Sequence, residues 1–335
     1  MQTKAKRYFA SGALMRALFA LLLLAMSPAA PVQAAENYPS RPIMLIVPFP
    51  PGGANDLLAR LVGERMSRSL GQAIVVENRS GAGGNIGSRQ AARSAPDGYT
   101  MLLTFSGTIA INPELYANIG YDSNKDLTAI GTIATAPAVV VVNPVVPAKT
   151  LRELFDYARA NPGVLNYGSS GTGTVVHVSA EMMLEAADIK IRHIPYSGTG
   201  PAVSDLLGGH VQMMLPPIPS VIGLIKNGQL RALAVTGKNR SPLLPNVPTV
   251  SEAGLPGFAS EQLIGLMAPA GTPRPIIERL NSELRSAVTD PKISNRILEV
   301  GAAPLVGTPE EYAAQAAADQ KLWGTIVKKL GLHVE

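Results

Sequence analysis

The sequence predicts an α/β fold of two units, on three observations. Short apolar runs alternate with stretches of helical periodicity. The alternation comes as two successive series separated by one long apolar stretch, Leu127–Val142. After Pro273 the chain is helical in pattern throughout, so these helices need a sheet supplied by an earlier segment.

The elements follow in order. Residues 1–34 read as an export signal: Lys4, Lys6, Arg7 and Arg16 precede the apolar run Ala17–Met26, and Val32-Gln33-Ala34 supplies small residues for a cut near Ala34 or Ala35. The run is shorter than the roughly 20 residues that span a bilayer, so the mature chain is expected in the periplasm. The first series has strands at Ile43–Phe49, Ala73–Glu77 and Tyr99–Phe105, with helices at Asp56–Ser69 and Ile86–Ser94. This βαβ order predicts a parallel sheet. The second series has strands at Leu165–Tyr167, Ile191–Ile194, Val211–Leu215 and Leu230–Val235, and helices at Leu151–Arg159, Val175–Ala186, Pro201–Leu207 and Val221–Asn227. Thr150-Leu151-Arg152-Glu153 and Thr308-Pro309-Glu310-Glu311 are capping boxes. Asn227-Gly228 suits a left-handed helix end. Gln262–Ala268 reads as a strand returning to the first unit, which divides the mature chain into 35–137 with 262–335, and 138–261.

Composition narrows the function. Removing residues 1–34 takes four Lys/Arg and no acids from totals of 29 and 24, leaving 25 against 24 and a net charge of about +1. No basic block of the kind that tracks phosphates is present, so nucleic acid is not an expected partner. The absence of cysteine excludes disulfides, thiolate metal sites and cysteine nucleophiles. His177, His193, His210 and His333 show no metal-site spacing, and no metal or cofactor is expected.

Four loops with small or polar residues follow strands. In Phe49-Pro50-Pro51-Gly52-Gly53-Ala54-Asn55-Asp56, the prolines stiffen the turn and the glycines let another group approach the backbone at the open end of a helix, where an anion is favoured. The same stretch also reads as an ordinary βα loop capped by Asn55 or Asp56. The others are Ser106-Gly107-Thr108, Ser169-Ser170-Gly171-Thr172-Gly173-Thr174 and Ser197-Gly198-Thr199-Gly200. Ligands of open α/β sheets sit beyond the carboxyl ends of strands, so these loops are the candidate binding site, for carboxylate oxygens. His177, at the third helical position after the cap Thr174, lies either within reach of an anion or packed on its own loop. Ser170 with His177 is a weak hydrolase signal, since Thr172 stands where a nucleophile elbow needs glycine. Gly81-Ala82-Gly83-Gly84-Asn85-Ile86 misses the dinucleotide fingerprint at its sixth position.

Eight ordered stretches, "YPSRPIMLIVPFPPGGANDLLAR", "VVENRSGAGGNIGS", "APDGYTMLL", "INPELY", "GSSGTGTVVH", "DLLGGHVQMM", "LRALAVT" and "VPTVSEAGLPG", closely resemble the Bug family, the extracytoplasmic solute-binding proteins of tripartite tricarboxylate transporters. The resemblance runs from about Tyr38 to the C-terminus. It implies a two-lobed periplasmic binding protein fold of type II (Venus flytrap), each lobe a doubly wound α/β sheet, joined by two crossing segments. It further implies no enzymatic activity, a small organic carboxylate held in the interdomain cleft and delivery to membrane permease subunits; separately from the resemblance, a monomer is expected. Phe49–Asp56 match the family loop that holds a ligand carboxylate through backbone groups, Ser169–Thr174 match the opposing loop, and Ser106–Thr108 match a further cleft loop. Two departures stand out. Pro216-Pro217 replaces an Asp-Asn pair common after the matching strand, which points to a ligand without a buried amine. Ser197 replaces a frequent lysine. Presentation of the ligand to a membrane sensor kinase is an alternative that the sequence does not separate from transport.

Overall fold

The computed structural model describes residues 38–334, so the signal segment lies outside the described residues. Eleven strands, β1 (Ile43–Val47), β2 (Ile74–Asn78), β3 (Thr100–Phe105), β4 (Leu127–Pro137), β5 (Val139–Val142), β6 (Asn166–Ser169), β7 (Arg192–Pro195), β8 (Met213–Met214), β9 (Arg231–Val235), β10 (Glu261–Pro269) and β11 (Ala303–Pro304), form two sheets. The first has the order β11-β4-β10-β3-β1-β2 and the second β7-β6-β8-β5-β9.

Both sheets are mixed rather than purely parallel. The strands β2, β1 and β3 run parallel as the βαβ order requires, whereas β10 is antiparallel to both β3 and β4. The cause is the chain path. β10 returns from the second sheet after a long excursion and enters between two strands already aligned with each other. The predicted returning strand Gln262–Ala268 is found as Glu261–Pro269.

Each sheet is buried on both faces. The four valines of β5 show why: Val140 and Val142 enter one apolar cluster with Phe155, Met183 and Leu184, while Val139 and Val141 enter another with Val203, Leu206 and Val221. A strand of unbroken valine is suited to a sheet covered twice. In the first sheet, Gly265 of β10 pairs with Thr104, and a Cβ there would meet the Tyr312 ring at 2.5 Å. Thr104 Oγ1 lies 2.5 Å from Tyr312 Oη, so glycine is required to seat the tyrosine. On the opposite face, Gly131 of β4 lies under Asn281 and Leu284. Asn281 Nδ2 donates to the carbonyls of Ile130 and Gly307 at 2.8 and 2.9 Å.

Among the described residues ten α-helices cover these faces: α1 (Ala54–Leu70), α2 (Asn85–Ala92), α3 (a π-turn Gly107–Ile111 continuing into Asn112–Leu115), α4 (Leu151–Ala160), α5 (Val175–Ala186), α6 (Thr199–Gly208), α7 (Ile222–Lys226), α8 (Arg274–Thr289), α9 (Pro291–Glu299) and α10 (Pro309–Lys329). Helix α3 was not foreseen, and the short strand β11 interrupts a tail that reads as helical throughout.

Two crossing segments join the sheets at Ala138 and Ser260, and one buried side chain ties them. Thr236 Oγ1 accepts from Ala138 N–H at 2.9 Å and donates to Ser260 C=O at 2.6 Å. The Thr236 backbone completes the clasp, donating to Ala138 C=O and accepting from Ser260 N–H.

Candidate functional site

The first loop leaves β1 at Val47 and enters α1 through Gly53, which is the helix N-cap and carries no side chain to cap it. Asn55 and Asp56 are therefore inside the helix rather than at its cap. Gly52 takes φ +84°, a conformation that L side chains rarely adopt, whereas Gly53 has an ordinary extended backbone. Gly52, Gly53 and Ala54 are exposed, leaving the first N–H groups of α1 open to solvent.

Asp56 is turned inward to hold this shape. Its carboxylate accepts from Gly52 N–H at 2.9 Å, Arg60 Nε at 3.0 Å and Asn78 Nδ2 at 2.9 Å. Burial pushes its carboxyl up, but the bonds from Arg60, Gly52 and Asn78 outweigh that and hold it below its ordinary value. Asn78 also donates to Phe49 C=O at 3.0 Å. Arg60 and Asn78 are thus positioning residues that loop-by-loop reading missed, although Asn78 ends β2, the neighbour of β1. The Phe49 ring packs on Phe105 at 4.7 Å, which brings the first loop against the second.

In the second loop the hydroxyls are already engaged. Ser106 Oγ donates to Asp319 at 2.5 Å and accepts from Leu263 N–H at 2.8 Å. Thr108 Oγ1 donates to Phe105 C=O at 3.1 Å. Both residues are fully buried, as is Gly107, so these side chains fasten the start of α3 instead of presenting free hydroxyls.

The third loop is organised around an aromatic stack. Thr174 caps α5 as expected, accepting from His177 N–H. The His177 Nδ1 accepts from Gly173 N–H at 2.9 Å, and its ring stacks on His193 at 3.9 Å between centroids. Tyr167 stacks on His193 in turn. His177 therefore packs on its own loop. Burial and the neighbouring His193 depress its pKa to about 4, so it is neutral at pH 7. Its Nε2 lies 3.9 Å from Glu181, a pairing one helical turn away that the spacing i, i+4 already contained. Glu181 accepts from Tyr167 Oη, and burial together with Glu185 raises its pKa. Ser169, fully buried, lies 2.6 Å from His193 Nε2. Ser170 donates to Thr174 rather than to His177, so no serine–histidine nucleophile pair forms there. Gly171 and Thr172 remain accessible at the tip.

The fourth loop joins the third: Tyr196 N–H donates to Ser169 C=O at 3.1 Å. It then enters α6 at Gly198, a second helix start with no side-chain cap. The structure thus assembles the loops in pairs, the first with the second and the third with the fourth. Among the described residues no hydrogen bond or ion pair joins Phe49–Asp56 to Ser169–Thr174. A cavity of about 720 Å³ does not open on any of these loops but lies beside the crossing segments. Pro216 C=O is taken by Val139 N–H, so Pro216-Pro217 adds no side-chain acceptor.

No group of three or more metal-type ligands occurs among the described residues, and none of their helices is long and apolar enough to cross a membrane.

Comparison with known proteins agrees with this architecture. The family model described as "Tripartite tricarboxylate transporter family receptor" (TctC) matches residues 58–332. The chain is similar to the periplasmic binding protein BugD, with 36% identity and a TM-score of 0.75 over 89% of this chain and 100% of that one. It is similar to Rpa4515 of R. palustris, solved with adipate, at 34% identity and TM-score 0.79 over 89% and 100%. It is also similar to MatC (Rpa3494) of Rhodopseudomonas palustris, solved with bound malate, at 32% identity and TM-score 0.74 over 87% and 100%. The two-lobed α/β fold is that of periplasmic solute-binding proteins rather than an enzyme, and the chain belongs to the TctC family of tripartite tricarboxylate transporter receptors.

Proposed function

We propose that the chain captures a small organic carboxylate in the periplasm, between lobes made of residues 35–137 with 262–335 and residues 138–261, and delivers it to the permease subunits of a tripartite tricarboxylate transporter. The observation that carries this reading is the exposed, uncapped start of α1, with Gly52 held in place by Asp56. An N-terminus of this kind offers N–H groups and a positive dipole end to one carboxylate. The uncapped start of α6 and the accessible Gly171-Thr172 tip would meet the ligand from the second lobe.

In this reading the backbones of Phe49, Gly52–Asp56, Ser106–Thr108 and Ser169–Thr174 form the site, and His177 supports it from behind. The adipate and malate held by similar proteins are dicarboxylates, which favours the same class here. Because Pro216 and Pro217 provide no counter-charge for an ammonium, amino acids are expected to bind poorly. The ligand selects a closed arrangement about Ala138 and Ser260, and the closed form docks on the membrane subunits.

The test is thermal unfolding of the purified protein with adipate, malate, citrate, aromatic acids and amino acids. A ligand at 1,000 times its dissociation constant stabilises by about 4 kcal/mol, a visible rise in midpoint. A rise with dicarboxylates alone supports the reading, and tight glutamate or aspartate binding overturns the amine argument. Capture of permease subunits from membranes supports delivery to a transporter, whereas capture of a sensor kinase ectodomain replaces it.

A further inference from the structure

The cavity of about 720 Å³ beside the crossing segments shares no lining residue with the four loops. Helix α10 lines one wall with Gln315, Asp319 and Trp323, spaced i, i+4, i+8 on a single face. Glu261, from the start of β10, and Lys238, from the loop after β9, also line it. Phe258, Leu298, Leu305 and Leu322 supply apolar surface. The size is that of a site for a small organic molecule.

Its charges are incompletely matched. Arg240 is paired with Glu252 at 2.9 Å, but Asp319, Glu261 and Lys238 have no ion-pair partner among the described residues. Two carboxylates thus face the cavity, with the Lys238 ammonium close enough to favour the charge on Asp319. Asp319 accepts from Ser106 Oγ, and Glu261 accepts from Lys238 N–H at 3.0 Å, which leaves acceptor capacity on both. Burial pushes the Asp319 carboxyl up, and the Glu261 charge adds to the shift.

A second, independent sign is that Gln315, which lines the cavity, has a buried side-chain oxygen without a hydrogen-bond partner. The Trp323 indole N–H faces Asp319 and favours its charged form. Trp323 itself is 1% exposed. Buried polar groups left open in this way are usual where a ligand or ordered water completes them.

We propose that this cavity is a second binding site, for an organic ammonium compound with an apolar body, its cationic head facing Asp319 and Glu261 and its body against Phe258, Leu298, Leu305 and Leu322. The head would satisfy two unpaired carboxylates and an orphaned amide oxygen. Because Pro137 and Glu261 belong to the two crossing segments and Asp319 holds Ser106, an occupant would bear on the hinge between the lobes.

Calorimetric titration of the purified protein with 2-phenylethylamine tests this, with 3-phenylpropionate as a probe of the same body and opposite charge. Saturable binding of the amine and none of the acid at this site are expected. Asp319→Asn should weaken the amine at least tenfold. Because that change also touches the Ser106 bond, Ala318→Phe serves as a second variant: it fills the cavity from an exposed helix position and should abolish amine binding with the fold intact by circular dichroism. No amine binding to the unmodified protein, equal binding of the acid, or unchanged amine affinity in a folded Ala318→Phe protein would overturn the proposal.

Discussion

A valine at position 53 separates folding from binding. Gly53 has φ −79° and a Cβ there would come no closer than 3.9 Å to Pro50 C=O, so Gly53→Val should leave the unfolding midpoint nearly unchanged. The isopropyl group would cover the open end of α1, and affinity for adipate should fall at least tenfold by titration calorimetry. Gly52→Val is a contrasting case, since φ +84° strains any L side chain and stability should fall too. At His177 the prediction concerns pH. Its folded pKa of about 4 is below the ordinary 6.5, so the neutral ring contributes stability that is full above pH 6.5 and is lost as pH falls toward 4. The unfolding free energy should drop across that window, by up to about 3 kcal/mol for complete titration. His177→Gln keeps an acceptor for Gly173 N–H and should flatten the dependence, leaving the part due to the buried His193, whose pKa is also lowered by burial. The candidate loops were legible in the sequence because glycine next to a strand end is a local signal. The inward turn of Asp56, Ser106 and Ser169 was not, because their partners Asn78, Asp319 and His193 are 22, 213 and 24 positions away.

Among the elements, the caps rank the helices. Thr308 and Glu311 form a complete capping box at α10, each side chain satisfying the other's backbone N–H. At α4, Thr150 accepts from Glu153 N–H, but the Glu153 carboxylate accepts from Lys149 N–H instead of closing on Thr150. Thr308→Ala should therefore lower stability by about 1 kcal/mol in urea unfolding, and Thr150→Ala by less. Long periodic helices were readable: Val175–Ala186 is found with the predicted ends. Both α1 and α6 begin two residues earlier than expected, immediately after a glycine that serves as cap without a side chain. Helix α3 was hidden by its own composition, since Ser106-Gly107-Thr108 and Pro113 are loop formers; its wide first turn is held by Tyr121 Oη donating to Thr108 C=O and by Gln320 donating to Ile109 C=O. Two-residue β11 has no periodicity to detect.

For the whole molecule, the clasp at Thr236 sets how the lobes are joined. Thr236→Val keeps the shape but leaves the half-buried Ala138 N–H without its side-chain acceptor, a loss of about 1 kcal/mol. The unfolding midpoint should fall, and amide exchange at Ala138 should quicken more than in either sheet. No sequence pattern announces this threonine, because its two partners are 98 and 24 positions distant in opposite directions. The returning strand Gln262–Ala268 was legible, since a helical tail without a sheet of its own requires the chain to return.

The place of β10 in the first sheet has a consequence for the order of assembly during synthesis. It lies between β3 and β4, so that sheet has a gap at its centre until residue 269 has emerged from the ribosome. The second sheet uses only residues 139–235 and is complete earlier. The part of the protein made first is therefore finished last. A fragment of residues 138–260 should fold cooperatively when expressed alone, whereas a fragment of residues 39–137 should remain open at the edges of β3 and β4 and aggregate. For most of its synthesis the chain thus carries one settled lobe and one that cannot yet close, a window in which a chaperone that shields strand edges has something to hold.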